Sequence, residues 1–176
     1  MSKLRLATVW LDGCSGCHMS FLDLDERLVS LQERAELVYS PLVDAKIFPE
    51  NVDITLVEGA VSSEEDLHKV RLVRQHTKTL VSLGDCAVTA NVPGMRNPFG
   101  KTIYDRAYRE NVTLDPGIPN EVVPRLLPLA RPVHELVPVD VFLPGCPPSA
   151  DTIFYVLTEL LDGRDPDICA KTRFGA

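Results

Sequence analysis

Five short, strongly apolar segments recur along the chain, and three of them are followed by a helical pattern. The clearest is LRLATVWL over 4–11, which ends at Asp12-Gly13. The other four cover 37–40, 53–57, 79–83 and 139–143. Apolar runs of this length, bounded by turn residues, are typical of buried strands. Strands that are apolar on both faces and alternate with helices predict a parallel sheet covered by helices on each side.

Three amphipathic patterns predict the covering helices. The first runs over 20–35, with apolar residues at three- and four-residue steps on one face. The second is expected over 62–76, and the third over 149–163, capped by its first residue. Ser20 and Ser62 each stand three residues before an acid, the spacing of a capping box. We therefore predict an α/β fold, a doubly wound, flavodoxin-like sheet of five parallel strands in the order 2-1-3-4-5.

One long segment does not follow this alternation. Eight of the 14 prolines lie within 93–138, where the only helical pattern is a weak one over 103–108. We expect this Pro-rich segment to be a long irregular excursion before the last strand. It is either a proline-stiffened surface loop or a segment that a partner orders. The whole chain, 1–176, is expected to form a single domain.

The charge pattern excludes two classes of partner. The chain carries 18 Lys and Arg against 25 Asp and Glu, a net charge of −7, and no two Lys or Arg residues are adjacent. Nucleic acids and anionic membranes both require clustered positive charge, so we expect neither as a partner. No apolar stretch reaches the roughly 18 residues of a membrane span. Residues 1–5 lack the pattern of a signal peptide, so we expect a cytoplasmic protein.

Four of the five cysteines follow predicted strands. Cys14 and Cys17 come after the first strand, Cys86 after the fourth and Cys146 after the fifth. Because the carboxyl ends of parallel strands lie at one edge of a sheet, we expect these four side chains to meet there. In a reducing compartment such cysteines are metal ligands or redox thiols rather than a disulfide framework. Cys169 lies beyond the last predicted helix and is expected to take no part.

Four thiolates at one place suit either a tetrahedral zinc ion or an iron-sulfur cluster. Zinc sites usually draw on two tight pairs of cysteines, whereas here one pair, Cys14 and Cys17, is joined by two single cysteines. A 4Fe-4S cluster with one cysteine per iron fits such wide anchoring better, and a proline follows Cys146 as it follows a ligand in bacterial ferredoxins. Two alternatives stay open, a zinc-stapled scaffold and a thiol-redox enzyme that uses Cys14 and Cys17.

Glu58 and His18 are further candidates at this edge. Glu58 ends the third predicted strand and could relay protons, contact a partner chain, or cap the turn over 59–62. His18 could hydrogen-bond a cluster sulfur or face solvent. Four glycines beside the cysteines would let backbone N–H groups approach inorganic sulfur: Gly13, Gly16, Gly84 and Gly145.

Four motifs together resemble a known family. WLDGCSGC over 10–17, VEGAV over 57–61, GDCA over 84–87 and PGCPP over 144–148 are similar to the N-terminal, flavodoxin-like domain of the small subunit of nickel-iron hydrogenases. The resemblance covers nearly the whole chain. It implies a proximal 4Fe-4S cluster that faces the Ni-Fe centre of a separate large subunit, where H2 is cleaved. By the same resemblance, the ligands of that cluster are Cys14, Cys17, Cys86 and Cys146.

Differences from the family pattern indicate which type of hydrogenase small subunit the chain resembles. Membrane-linked and periplasmic members carry a twin-arginine leader and a C-terminal extension with ligands for two further clusters, whereas only Cys169 follows Cys146 here. The chain therefore resembles the single-cluster, cytoplasmic, bidirectional type. A related subunit of respiratory complex I, or of another cofactor-linked oxidoreductase, is the alternative. The complex I subunit has adjacent cysteines where this chain has Cys14-x-x-Cys17, and that spacing argues against it.

The resemblance also implies partners and a role. The chain would be the electron-transfer subunit of a hetero-oligomer that links the Ni-Fe site to a diaphorase partner carrying iron-sulfur clusters and FMN. The complex would catalyse H2 + NAD+ = H+ + NADH, with no complete active site on this chain. By the resemblance, we expect the Ni-Fe centre and FMN on partner subunits. The sequence shows no clear phosphate-binding loop for FMN after the first strand, because the cysteines occupy that place.

Overall fold

The central sheet of the computed structural model has the predicted parallel topology. The structure describes residues 3–111, 114, 116–119 and 121–172. Its strands are β1 (Leu4–Trp10), β2 (Ala35–Tyr39), β3 (Val52–Glu58), β4 (Val61–Ser63), β5 (Thr77–Leu83), β6 (Leu126–Arg131) and β7 (Val141–Leu143). Five of them form one parallel sheet in the order β2-β1-β3-β5-β7. The predicted order 2-1-3-4-5 is therefore confirmed, since β5 and β7 are the fourth and fifth strands of the prediction.

Helices connect and cover the strands. The α-helices are α1 (Gly16–Leu22), α2 (Arg27–Arg34), α3 (Glu64–His76), α4 (Gly84–Thr89), α5 (Asn91–Gly94), α6 (Thr102–Asp105), α7 (Ala150–Leu161) and α8 (Ile168–Lys171). Two 3-10 turns, Asn97–Phe99 and Val133–Glu135, and a π turn, Arg106–Glu110, complete the described elements. The weak helical pattern over 103–108 is thus confirmed as α6 and the π turn that continues it.

Each face of the sheet buries its own apolar cluster. Ile54 and Leu56 of β3 pack on one face with α1, α2 and α7, where Ile153 is fully buried. Val57 of β3 packs on the other face with α3, where Val70 is fully buried. Side chains that alternate along one strand are therefore buried on both faces, which is why the strands read as continuous apolar runs. Helices therefore cover both faces of the sheet, which is the doubly wound arrangement.

The first predicted helix is wrong in its bounds. The chain forms α1 from Gly16 and α2 from Arg27 instead of one helix over 20–35, with Asp25 at a positive φ of 49° between them. Leu24 is 1% exposed in this turn, so the apolar face continues across the break and the periodicity does not reveal it. Ser20 does not cap a helix. Its hydroxyl donates to the carbonyl of Pro148.

The predicted capping box of the second helix is displaced by one residue. Ser63 is the N-cap of α3, because its hydroxyl accepts from the N–H of Asp66 at 3.0 Å and the Asp66 carboxylate accepts from the N–H of Ser63 at 3.0 Å. The residues before it form the short strand β4 rather than the first turn of the helix. The predicted cap of the last helix is confirmed, since the Ser149 hydroxyl accepts from the N–H of Thr152 at 3.2 Å.

The expectation of an irregular segment over 93–138 is corrected by a second sheet, in which β4 and β6 pair antiparallel. Two side chains fasten the segment to it. Asn97 accepts from and donates to the backbone of Ala130, both at 2.8 Å, and Arg96 donates to the carbonyl oxygens of Ser62 and Leu127 at 3.1 and 3.0 Å. Residues 112–113, 115 and 120 of the predicted segment lie outside the described residues. Within the described part of the segment, Arg96, Asn97 and β6 are held by contacts within this chain.

Within the described ranges, none of the helices combines the length and apolar character that crossing a bilayer requires. This agrees with the sequence, whose apolar segments are all short.

Ser63→Ala is expected to lower the free energy of unfolding by about 1 kcal/mol, because it removes the hydroxyl that caps α3. Chemical denaturation with the fluorescence of the one tryptophan measures the change. The matched control is Ser30→Ala, since Ser30 is exposed inside α2 and alanine is the better helix former there. Equal midpoints for the two variants would contradict the capping role.

Candidate metal centre

Strand ends position the four cysteines. Cys14 lies in the loop after β1 and Cys17 in the first turn of α1, Cys86 lies in the first turn of α4 directly after β5, and Cys146 lies in the loop after β7. The strands β1, β3, β5 and β7 are consecutive neighbours in the sheet. The thiols of Cys14, Cys86 and Cys146 all lie close enough to Cys17 to raise its pKa. The structure therefore brings the four predicted side chains together at the carboxyl edge.

Glycine leaves the room that these thiols occupy. A Cβ atom added at Gly84 would lie 2.2 Å from the Cys17 Sγ. The backbone φ of Gly84 is +80°, a conformation that residues other than glycine rarely adopt. A Cβ added at Gly16 would lie 3.2 Å from the Cys14 Sγ. The loop after β5 thus passes directly against the Cys17 thiol, and only glycine permits that approach.

Polar N–H groups point at three of the sulfurs. The N–H of Gly16 donates to the Cys14 Sγ at 3.4 Å, and the Asn91 side chain donates to the Cys146 Sγ at 3.6 Å. Burial raises the pKa of the Cys86 thiol, and the backbone N–H of Val92 bonds to this thiol and partly opposes that rise. Donors of this kind stabilise sulfur in its anionic form. They are the protein's means of holding thiolates or a sulfur-bound metal group.

Burial opposes ionisation of the two inner thiols. It raises the pKa of Cys17 far above its ordinary range, and the charges of Glu58 and of the other three cysteines raise it further. Burial also raises the pKa of Cys86, against the opposing Val92 N–H. Without a metal these thiols are protonated at neutral pH, so a metal group that bound them would have to displace their protons and supply the compensating positive charge.

The centre is buried on one side and exposed on the other. Cys17 and Cys86 are 7% and 8% exposed, whereas Cys14 and Cys146 are exposed at the surface. Cys169 lies on α8 and is also exposed, and it contributes to the pKa of neither buried thiol. Among the described residues, no three His, Cys, Asp or Glu side chains are close enough together to hold one metal ion between them. The four thiols are thus neighbours without converging on a point.

Glu58 supports the loop of Cys17 from beneath. Its side chain is buried, with the residue 1% exposed, and its carboxylate accepts from the N–H groups of Cys17 at 3.4 Å and His18 at 2.9 Å. It also bonds the Nδ1 atom of His18. Of the roles expected for Glu58, capping is observed on the first turn of α1 rather than on the turn over 59–62. A carboxylate this buried requires such partners, because leaving it unpaired would be costly.

His18 lies inside the fold, so the expectation that it faces solvent is wrong. It is 3% exposed, and its Nε2 atom bonds the Thr8 hydroxyl at 3.0 Å, which in turn donates to the Ser40 hydroxyl at 2.7 Å. The reason is that α1 begins at Gly16 and turns this residue toward β1. The two hydrogen bonds described for its ring nitrogens are to oxygen atoms of Glu58 and Thr8 rather than to a cysteine sulfur.

Asp85 and Asn91 are site residues that the sequence analysis missed. The Asp85 carboxylate accepts from the N–H of Gly145 at 2.7 Å, and the Asp85 N–H donates to the Gly145 carbonyl at 2.9 Å. These two bonds join the loops that carry Cys86 and Cys146. The position of Asp85 directly before Cys86 was the only available signal, since Gly145 is 60 residues away in the chain.

The chain matches a family of known proteins over most of its length. The family described as NADH ubiquinone oxidoreductase, 20 Kd subunit, matches residues 14–160. The chain belongs to this family. Its sequence and fold make it a homologue of the small subunits of nickel-iron hydrogenases, which confirms the resemblance drawn from the motifs.

Particular relatives are hydrogenase subunits. The chain is 44% identical over 172 residues to the NAD-reducing hydrogenase HoxS subunit delta of Cupriavidus necator, covering 94% of this chain and 82% of that one. It is 32% identical over 163 residues to the sulfhydrogenase 2 subunit delta of Pyrococcus furiosus, covering 93% of this chain but only 64% of that one. The chain thus spans less than two thirds of the Pyrococcus relative.

Solved structures agree with this assignment. The crystal structure of an NAD+-reducing [NiFe]-hydrogenase in the H2-reduced state contains a chain that superposes with a TM-score of 0.92 and 40% identity, covering 98% of this chain and 99% of that one. A [NiFeSe] hydrogenase from Desulfovibrio vulgaris Hildenborough matches with a TM-score of 0.59 and 16% identity over 92% of this chain and 60% of that one. The second likeness shows the shared fold alone.

Gly84→Ala is expected to cost more stability than a glycine replacement elsewhere at positive φ, because its Cβ would also displace the Cys17 thiol. The matched control is Gly163→Ala, where φ is +69° and a Cβ would meet nothing within 4 Å. The backbone cost is roughly 1–2 kcal/mol in both variants, and overpacking adds about 1–3 kcal/mol at Gly84 alone. Denaturation midpoints of the two variants measure the difference, and equal losses would mean that the loop yields without cost.

Proposed function

We propose that this chain holds one 4Fe-4S cluster on Cys14, Cys17, Cys86 and Cys146 and passes electrons between a Ni-Fe hydrogenase large subunit and a diaphorase partner that reduces NAD+. The observation that carries the proposal is the meeting of these four thiols at one sheet edge in a hydrogenase small-subunit homologue. The complex would catalyse H2 + NAD+ = H+ + NADH.

The donor set fits a cluster better than a single ion. Four sulfur ligands suit both zinc and iron-sulfur centres. A zinc ion needs its ligands to converge in a tight tetrahedron, whereas a cubane cluster is bound by one cysteine at each of four irons. Thiols that are neighbours without converging support the cluster. The glycines at 16 and 84 support it as well, because they keep side chains away from the sulfurs.

The chain's own residues would set how readily the centre accepts an electron. When bound, a 4Fe-4S cluster takes up and releases one electron at a time. The N–H groups of Gly16, Val92 and Asn91 face the sulfurs and favour added negative charge, whereas burial of Cys17 and Cys86 opposes it. Position and potential of the cluster are therefore the contribution of this chain, with bond cleavage left to a partner.

The exposed half of the centre supports a protein partner. Cys14 and Cys146 are exposed, and two apolar side chains on the adjoining helices, Met19 and Val92, are each 58% exposed. Exposed apolar groups beside an exposed redox centre favour coverage by another chain. By homology this partner is the hydrogenase large subunit, which would carry the Ni-Fe centre. We further propose a diaphorase partner with iron-sulfur clusters and FMN, and a cytoplasmic location, and the likeness to an NAD-reducing hydrogenase subunit supports a partner that acts on NAD.

Cys86→Ser and Cys146→Ser are expected to remove most of the iron from the anaerobically purified chain, because each ligand holds one iron of the proposed cluster. The matched control is Cys169→Ser, which changes an exposed cysteine on α8 and should leave iron unchanged. Iron and sulfide analysis measures the loss, with about four irons expected per unaltered chain. Broad visible absorption that fades on reduction is the accompanying signature.

Other outcomes would support the alternatives. A colourless chain with one bound zinc would favour the scaffold, since Zn²⁺ has no redox chemistry. Full activity after Cys86→Ser and Cys146→Ser, lost only on replacement of Cys14 or Cys17, would favour a thiol-redox enzyme. Far fewer than about four irons in the unaltered chain would contradict a cubane cluster.

Glu58→Gln is expected to slow H2 turnover in the assembled complex while iron content stays normal. Glutamine keeps one oxygen, which can accept from the N–H of His18, the shorter of the two backbone bonds, but it cannot take up a proton as a relay must. Turnover and iron content, measured on the same preparation, separate the two roles. Unchanged turnover would leave Glu58 with its support of the Cys17 loop alone.

A further inference from the structure

Two pairs of hydrogen bonds of the same kind tie β5 to β7, one pair at each end of their pairing. At the carboxyl end, the Asp85 carboxylate accepts from the Gly145 N–H at 2.7 Å and the Asp85 N–H donates to the Gly145 carbonyl at 2.9 Å. At the amino end, the Asp140 carboxylate accepts from the Leu80 N–H at 2.7 Å and the Asp140 N–H donates to the Leu80 carbonyl at 3.0 Å. We call each such pair of bonds an aspartate clip.

The clips matter because β7 is weakly held by the sheet itself. It is a three-residue edge strand, paired with β5 at three positions, whereas β3 pairs with β5 at six. Cys146 follows this strand, so its position depends on the shortest ladder of the sheet. A further link, from the Ser20 hydroxyl to the carbonyl of Pro148, holds the far side of the same loop.

We infer that Asp85 is a positioning residue of the proposed cluster, which holds the loop of Cys146 in register with the loop of Cys86. Each partner of its clip directly precedes a cysteine, Asp85 before Cys86 and Gly145 before Cys146. The clip therefore fixes the separation of two ligand loops at the positions next to their sulfurs. Asp85 itself makes no described contact with a thiol.

The geometry around Gly145 leaves little alternative to this contact. A Cβ added at Gly145 would lie 2.6 Å from the backbone nitrogen of Pro148, and its φ is +138°. The loop is thus folded tightly on itself, and the Gly145 N–H is directed to Asp85. A charged acceptor makes this bond stronger than a neutral one would.

Asp85→Ala removes the side-chain bond and leaves the backbone bond from Asp85 N–H to Gly145 in place. The expected result is a cluster that leaves the protein about ten-fold faster, or more, under an iron chelator, since loss of a residue that orients metal ligands typically costs 10- to 100-fold in affinity. The full chain, purified anaerobically with its cluster, is mixed with the chelator and the visible absorption is followed over time.

Asp140→Ala is the matched control. It breaks the equivalent clip at the opposite end of the pairing and also the ion pair of Asp140 with Arg74, so it should destabilise the fold at least as much. It should nevertheless keep the rate of cluster loss of the unaltered chain. Thermal unfolding of both variants, measured beside the chelator assay, separates damage to the sheet from damage to the site.

Asp85→Asn keeps a hydrogen-bond acceptor at this position and removes its negative charge. Asparagine can still accept from the Gly145 N–H, so the rate of cluster loss should stay within about three-fold of that of the unaltered chain, well short of the effect expected for a lost ligand-orienting residue. Removal of a negative charge near the cluster should move its midpoint potential to a more positive value, because the reduced state carries more negative charge. If Asp85 served only to stabilise the fold, the midpoint potential of the cluster would stay unchanged in Asp85→Asn.

Three outcomes would overturn the inference. The first is a rate of cluster loss in Asp85→Ala equal to that of the unaltered chain. The second is an equal acceleration in Asp140→Ala, which would make sheet stability the cause. The third is Asp85→Asn losing its cluster as fast as Asp85→Ala, which would exclude the acceptor bond as the cause.

The inference rests on the proposed function, and the two fail differently. If the unaltered chain holds no iron, the cluster itself is wrong. If the unaltered chain holds iron and any of these three outcomes occurs, only the role of Asp85 is wrong.

Discussion

The parallel register of four neighbouring strands is the constraint on which the candidate metal centre depends. The strands β1, β3, β5 and β7 lie side by side and point the same way, so the loops that follow them meet at one edge. Cysteines as far apart in the chain as Cys14 and Cys146 become neighbours for this reason alone. Any shift in register would move a whole ligand loop, which explains why polar contacts concentrate at the strand ends. Glu58 fastens the loop after β1 to β3, and Asp85 fastens the loop after β5 to the loop after β7.

The two fastenings use carboxylates in different surroundings. Glu58 is buried, and its bonds to the N–H groups of Cys17 and His18 satisfy a group that would otherwise be costly to bury. Asp85 is partly exposed and acts across two loops rather than beneath one. Both accept from backbone N–H groups next to cysteines, so they hold main chain in place without competing for the sulfurs. The sulfurs keep other donors, from Gly16, Val92 and Asn91.

The sequence was sufficient to predict the five-stranded sheet and the meeting of four of the five cysteines, because each of these four follows an apolar strand. Periodicity could not locate the break between α1 and α2, since Leu24 is buried in the turn as it would be in a helix. The inward orientation of His18 depends on that break and was missed with it. The strand β6 was missed because it contains Pro128 and pairs only with the three-residue β4. Contacts over long distances in sequence, such as that of Asp85 with Gly145, leave no local pattern.

The unequal burial of the four thiols connects assembly with function. Cys17 and Cys86 lie where burial and neighbouring charge raise the pKa of each thiol, so positive charge from a metal group is needed before they can serve as thiolates. Cys14 and Cys146 stay exposed on the outer side. In such an arrangement the buried cysteines, Cys17 and Cys86, would anchor the cluster in the fold, and the exposed cysteines, Cys14 and Cys146, would lie between the cluster and solvent. In the proposed complex, electrons would cross between the cluster and a partner on the exposed side, because the buried side of the centre rests on the apolar sheet of the chain itself. In the proposed complex, a partner that covers Cys14 and Cys146 would complete the desolvation of the cluster and thereby shift its potential, so docking and electron transfer would be coupled through the same two residues.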